Sequence, residues 1–218
     1  MKRYIYVLIF FISSTMSFSQ IKRVELSHYI FPEFIKGVVL MKNGIKNETL
    51  LNYNTLTQEM IFQERGKKLA IGKEEQELVD TVFIRDRKFF VLNKKFFELI
   101  YHSKADLYAE HISNVIPPGQ PAAYGGTSYT SATTSFTSIN SGGMVYELQL
   151  PDGFVVKPHT YYWLKRNGEL KKFFNIKQLI KLFEDKKDFC KAYIKENDVD
   201  YDNQESMVQF IKYLESQQ

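Results

Sequence analysis

The chain has 218 residues and carries 29 lysines and arginines against 25 aspartates and glutamates, a formal charge of +4. That balance is too even to argue for a nucleic-acid partner, because such binders concentrate basic charge. A single cysteine excludes an internal disulfide, so packing alone must stabilise the fold.

Residues 1–19 read as an export signal. Lys2 and Arg3 precede an apolar run over 4–12, and Ser17-Phe18-Ser19 supplies a small-x-small site before Gln20. The run is shorter than the ~20 residues that a spanning helix needs. The expectation is an exported chain starting near Gln20, without a transmembrane segment. Cys190 does not follow the cleavage site, so no lipoprotein anchor is expected there. The remaining chain keeps 12 tyrosines, 15 phenylalanines and Trp163, an aromatic load suited to sheets.

Residues 20–113 predict an antiparallel β-meander. Short apolar runs near 34–42, 49–53, 59–63, 78–84, 89–92, 96–101 and 107–112 alternate with turn chemistry. Asn43-Gly44 is the strongest hairpin signal, predicting a type I′ turn with positive φ at both central residues. Lys88-Phe89-Phe90-Val91-Leu92 is echoed by Lys95-Phe96-Phe97-Glu98-Leu99, and adjacent phenylalanines put one ring on each sheet face. Ordinary core packing explains these rings, and an apolar-ligand carrier with a Phe-rich β cavity is the alternative.

Residues 114–143 predict a long mobile loop. Pro117-Pro118-Gly119 and Pro121 break regular structure, and ten of the fifteen residues over 127–141 are serine or threonine. Residues 144–174 predict returning hairpins, with a strand over 145–150, another over 160–165, and Asn167-Gly168 turning into 169–174. Residues 175–218 predict a tail of three short amphipathic helices, the first N-capped by Asn175 and the last by Asn203. The fold class is therefore α+β: an antiparallel meander followed by a C-terminal helical cluster.

Asp198, Asp200 and Asp202 imitate the start of an EF-hand loop, but the twelfth position is Gln209, which cannot give the bidentate carboxylate. An interhelical linker is the simpler reading. His28, His102, His111 and His159 lack compact metal spacing, although a hairpin would let His102 and His111 face each other. Cys190 lies on an apolar helical stripe, as a buried small hydrophobe does. Nucleophile-elbow and phosphate-loop motifs are missing. The expectation is a chain with no catalytic residues, cofactor or metal.

Charge distribution carries more than net charge. Residues 157–195 hold eleven basic residues against four acidic ones. Lys177 with Lys181, and Lys187 with Lys191, stand at i,i+4, so each helix presents a basic stripe. In an exported chain such a face suits anionic envelope polysaccharide, lipopolysaccharide or another acidic envelope protein.

The run Pro121-Ala122-Ala123-Tyr124-Gly125-Gly126-Thr127-Ser128, then Leu148-x-Leu150-Pro151-Asp152, Tyr162-Trp163, Asn167-Gly168 and Leu179-Ile180-Lys181-Leu182-Phe183 resembles a group of exported proteins of Bacteroidetes-type bacteria. The resemblance covers roughly the last hundred residues and implies a Gram-negative envelope, hence the periplasm, the outer-membrane surface or the extracellular medium, without implying an activity. Asp80-Thr81-Val82 also resembles the O-glycosylation sequence of such bacteria. The expected function is non-catalytic binding or interaction through the Ser/Thr-rich loop and the basic helices.

Overall fold

Hairpin chemistry organises the sheet in the computed structural model, which describes residues 28–116, 120–121, 127–128 and 154–217. Strands β1 (Ile35–Met41) and β2 (Lys46–Asn54) meet at Asn43-Gly44, where only Gly44 has positive φ, at 87°. The Gly44 N–H donates to the Met41 carbonyl and the Met41 N–H to that of Ile45, both at 2.8 Å. This is a three-residue loop with a glycine bulge rather than the type I′ turn expected, and the Asn43 side chain supports it by accepting from the Ile45 N–H. Type I′ geometry occurs instead at Arg65-Gly66, Asn93-Lys94 and Asn167-Gly168, where both central residues have φ between 49° and 80°.

The remaining strands are β3 (Glu59–Glu64), β4 (Lys67–Ala70), β5 (Val79–Ile84), β6 (Arg87–Leu92), β7 (Lys95–His102), β8 (Asp106–Ile116), β9 (Gln120–Pro121), β10 (Thr127–Ser128), β11 (Val155–Arg166) and β12 (Glu169–Phe173). Ten of them form one antiparallel sheet in the order β12-β11-β8-β7-β6-β5-β1-β2-β3-β4, and β9 pairs with β10 separately. The sheet is not a simple meander. After β4 the short helix α1 (Lys73–Leu78) carries the chain back across, and β5 pairs with the free edge of β1. β8 runs to Ile116 and pairs through Val155 of β11, so residues 114–116 are strand. The strand expected over 145–150 lies outside the described residues.

Register puts a single row of side chains across one face: Val39, Val82, Phe89, Glu98, Ala109, Tyr162 and Phe173. At the β1 end the sheet curls on itself. The Ser113 N–H donates to the Thr55 carbonyl at 2.9 Å, and Tyr53 stacks on Phe89 with centroids 5.9 Å apart. Leu51, Tyr53, Met60, Val82, Ile84, Phe89 and Phe96, each no more than 1% exposed, fill that curl. Burying a side chain of this size contributes about 1.5–3 kcal/mol, so side-chain packing dominates here.

At the other end of the same face pack α2 (Ile176–Leu182), a 3-10 turn (Glu184–Lys186), α3 (Lys187–Glu196) and α4 (Gln204–Ser216). Asn175 caps α2 by accepting from the Gln178 N–H, and Asn203 caps α4 by accepting from the Ser206 N–H. Leu179, Phe183, Cys190, Met207, Phe210, Ile211 and Leu214 meet Leu107, Ala109, Tyr162, Leu164 and Phe173 in a second core. Glu215 ties α4 to the sheet, accepting from the Ala105 N–H at 2.6 Å and from the Tyr101 hydroxyl at 2.8 Å.

Candidate functional site

Between the two cores the row of inward side chains is interrupted by one carboxylate, Glu98, only 5% exposed. Arg87 on β6 grips it with two hydrogen bonds of 2.5 Å. From β8, His111 Nε2 lies 2.6 Å from Glu98 Oε2, while its Nδ1 is 3.5 Å from the Thr160 hydroxyl on β11. The Arg87 guanidinium, sandwiched against Phe31 and Phe89, also lies 3.2 Å from His111 Nε2. Because an ionised carboxylate only accepts, the short Glu98 contact identifies Nε2 as the nitrogen that carries the proton, and the Arg87 approach at 3.2 Å is two donors side by side on one carboxylate. Burial would raise the Glu98 carboxyl, but the hydrogen bonds and charges of His111 and Arg87 outweigh it and hold it below the usual carboxylate range.

A second buried carboxylate occupies the opposite face. Glu110 accepts from Lys172 Nζ at 2.7 Å, Trp163 Nε1 at 2.9 Å and Lys95 Nζ at 3.1 Å. Burial pushes its pKa up and those three donors bring it below the ordinary value. Lys172 is further wrapped by Tyr161, whose centroid is 3.9 Å from Nζ, and by Trp163 and Phe174. Both carboxylates are thus held as anions by their own neighbours, an arrangement that fixes the sheet and leaves neither poised to donate a proton. Hydroxyl, imidazole and carboxylate do line up at Thr160, His111 and Glu98. The 3.5 Å gap at the hydroxyl and the Arg87 contact make this a charge network.

The other histidines are dispersed. His102 pairs with Asp106 at 2.5 Å, and the register opposes these two residues, so His102 does not face His111. His28 is buried and its pKa is lowered by desolvation and then by Lys68. His159 packs edge-on against Tyr161. Among the described residues no group of three or more His, Cys, Asp or Glu side chains is placed to hold a metal. The segment bearing Asp198, Asp200 and Asp202 is an interhelical linker, in which Asp200 accepts from the Asp202 N–H and donates its own N–H to the Ser206 hydroxyl. Cys190 is fully buried, and desolvation pushes its thiol up to about 11. Thr81 is 4% exposed on β5 and gives its hydroxyl to Asp80.

Lys177 and Lys181 on α2, and Lys187 and Lys191 on α3, all stand exposed. Lys187 and Lys191 lie 3.8 Å from Glu184 and Asp188, a loose separation, and Lys177 and Lys181 make no ion pair among the described residues. Acidic groups nearby are engaged elsewhere: Arg166 holds Asp185 in a two-point bridge of 2.6 and 2.8 Å. Lys186 is not part of this surface, because it donates to the Leu214 and Gln217 carbonyls at the end of α4. Beside α2 runs a groove of about 620 Å³ lined by Asn175, Ile176, Lys177 and the linker residues Asp198, Val199, Asp200 and Tyr201. A smaller groove of about 340 Å³ lies on the other side of Asp198, between α3 and α4. Sequence reading found the lysines and missed the groove, because only the fold brings the linker beside α2.

No protein-family model, curated protein or solved structure matches this chain. No helix among the described residues is long and apolar enough to cross a membrane.

Proposed function

We propose that the chain is an exported, non-catalytic binding protein of a bacterial envelope, and that it holds an anionic envelope polysaccharide through the lysines of α2 and α3. The observation that carries this reading is a contrast in how charge is used. In the sheet, Glu98 and Glu110 are each matched by cations within 3.1 Å, whereas Lys177 and Lys181 project with no described partner. Exposed ammonium groups without partners attract polyanions and lose that attraction in salt. An apolar-ligand carrier would need room among the phenylalanines, and Phe89 and Phe96 are 1% exposed in a packed interior.

The test is co-sedimentation and titration of the purified protein with an acidic polysaccharide, with lipopolysaccharide vesicles and with neutral dextran, at 50 and 300 mM salt. Binding to the acidic polysaccharide is expected to weaken at least tenfold at the higher salt. It should be lost in the quadruple variant Lys177→Glu, Lys181→Glu, Lys187→Glu, Lys191→Glu. Binding that survives this reversal would place the contact elsewhere, and a preference for the vesicles would identify lipopolysaccharide as the partner.

A further inference from the structure

We propose that the groove beside α2 seats a neutral sugar of an acidic oligosaccharide, with the adjoining anionic sugar lying along Lys177 and Lys181. This rests on the reading of the lysine-bearing helices as the contact surface, and it names the ligand of that surface. Lys177 belongs to both features: it lines the groove and it begins the basic stripe of α2.

The volume of about 620 Å³ is in the range of small-molecule sites, and the lining is mixed, with Asn175, Lys177, Asp198 and Asp200 beside Ile176, Val199 and Tyr201, more polar than a site for an apolar molecule. Ile176, Val199 and Tyr201, all half-buried, give an apolar and aromatic floor. The Tyr201 ring is fixed in place. Its hydroxyl donates to the Phe173 carbonyl at 3.0 Å, and it packs edge-to-face with Tyr162 and Phe173 at 5.1 and 6.1 Å between centroids. A rigid ring loses little freedom when the C–H face of a pyranose packs on it. Asp198 and Asp200 line the rim as exposed carboxylates, the strongest acceptors for sugar hydroxyl donors.

Those carboxylates also decide which sugar enters. An acidic sugar in the groove would face Asp198 and Asp200 against the single charge of Lys177, so the groove selects a neutral one. One turn along α2, about 6 Å at 1.5 Å per residue, Lys181 adds a second ammonium with no acidic partner among the described residues. A polymer alternating neutral and acidic residues satisfies both demands. One charged at every residue satisfies only the second. Lysine rather than arginine at these positions suits a hydrated carboxylate met as a point charge.

Calorimetric titration with three probes separates the possibilities, using protein purified from cells that express the full chain. The probes are a hyaluronan hexasaccharide (acidic and neutral sugars in alternation), a hexamer of galacturonic acid, and inorganic polyphosphate. The hyaluronan hexamer is expected to bind at least tenfold tighter than the galacturonate hexamer. Asp198→Ala, at an exposed side chain with no hydrogen bond described, should weaken hyaluronan at least fivefold and leave polyphosphate within twofold. Lys177→Glu with Lys181→Glu should weaken all three. Equal affinity for hyaluronan and galacturonate, or an Asp198→Ala variant that binds hyaluronan as wild type does, would overturn the groove assignment while leaving the lysine surface standing. Unchanged binding of every probe after the lysine reversal would overturn the surface itself, and with it the groove.

Discussion

Glu98→Met offers the sharpest test of how the sheet is held together. The substitution keeps the volume but removes the anion that Arg87 and His111 share, leaving a guanidinium whose side chain is 24% exposed wedged against two phenylalanine rings. Removing one partner of a buried ion pair costs about 3–5 kcal/mol, because the remaining charge is uncompensated. For a domain of this size each kcal/mol moves Tm by roughly 2–4 °C, so a fall of roughly 6–20 °C is expected. Adding Arg87→Met removes the stranded cation. The double variant should return to within about 1.5 kcal/mol of wild type, since buried pairs replaced by apolar groups of similar volume are often neutral. Urea denaturation followed by Trp163 fluorescence measures both. A Glu98→Met variant within about 0.5 kcal/mol of wild type would refute the idea that this carboxylate balances the row. A double variant as unstable as the single one would show that the attraction itself, and not the abandoned charge, sets the cost.

Acid should act on the same groups. The folded-state pKa values of Glu98 and Glu110 are depressed, so their contribution is complete above the unfolded carboxylate value, ~4.3, and is lost as pH falls through the folded values. Tm should be level from pH 7 to about 5 and fall below it, less steeply in the Arg87→Met, Glu98→Met variant. Lys94→Gly should raise stability by about 0.5–1 kcal/mol, since Lys94 has φ 59° in a type I′ turn and its ion pair with Glu77 is exposed. Gly37→Ala should cost roughly 2–4 kcal/mol in the same denaturation assay, because an added Cβ would collide with the Phe83 carbonyl and come within 2.9 Å of Leu51 Cδ1.

What could be read along the chain followed from local chemistry. Short apolar and aromatic runs between turn signals marked β1, β2, β3, β5, β6, β7 and β8, because strand alternation and turn chemistry each leave a local imprint. α1 left none: Lys-Glu-Glu-Gln-Glu-Leu has a single apolar residue, so no 3.6-residue period exists to detect. The β1–β5 pairing was equally silent, since alternation says which face a residue takes and nothing about which edge a strand joins. The Glu98 cluster joins residues 11 and 13 positions apart, yet it carried a signal. In Lys95-Phe96-Phe97-Glu98-Leu99 the glutamate shares the parity of Phe96, and a charge at a core-facing position demands partners. The groove had no such clue, because neither α2 nor the linker forms it alone.

The seam between β1 and β5 has a consequence for assembly. Residues 35–70 and 79–116 each fold as a run of neighbours closed by short turns, and local contacts of that kind form quickly. Joining them requires Gly37 to find Ile84 and Leu40 to find Thr81, closing a span of about forty residues before the first ladder bond is gained. A chain delivered from its N-terminus would therefore complete two preassembled halves and then join them along the β1–β5 ladder, with the Thr55–Ser113 contact closing the curl. The tight approach at Gly37, which tolerates no side chain, lies on that ladder.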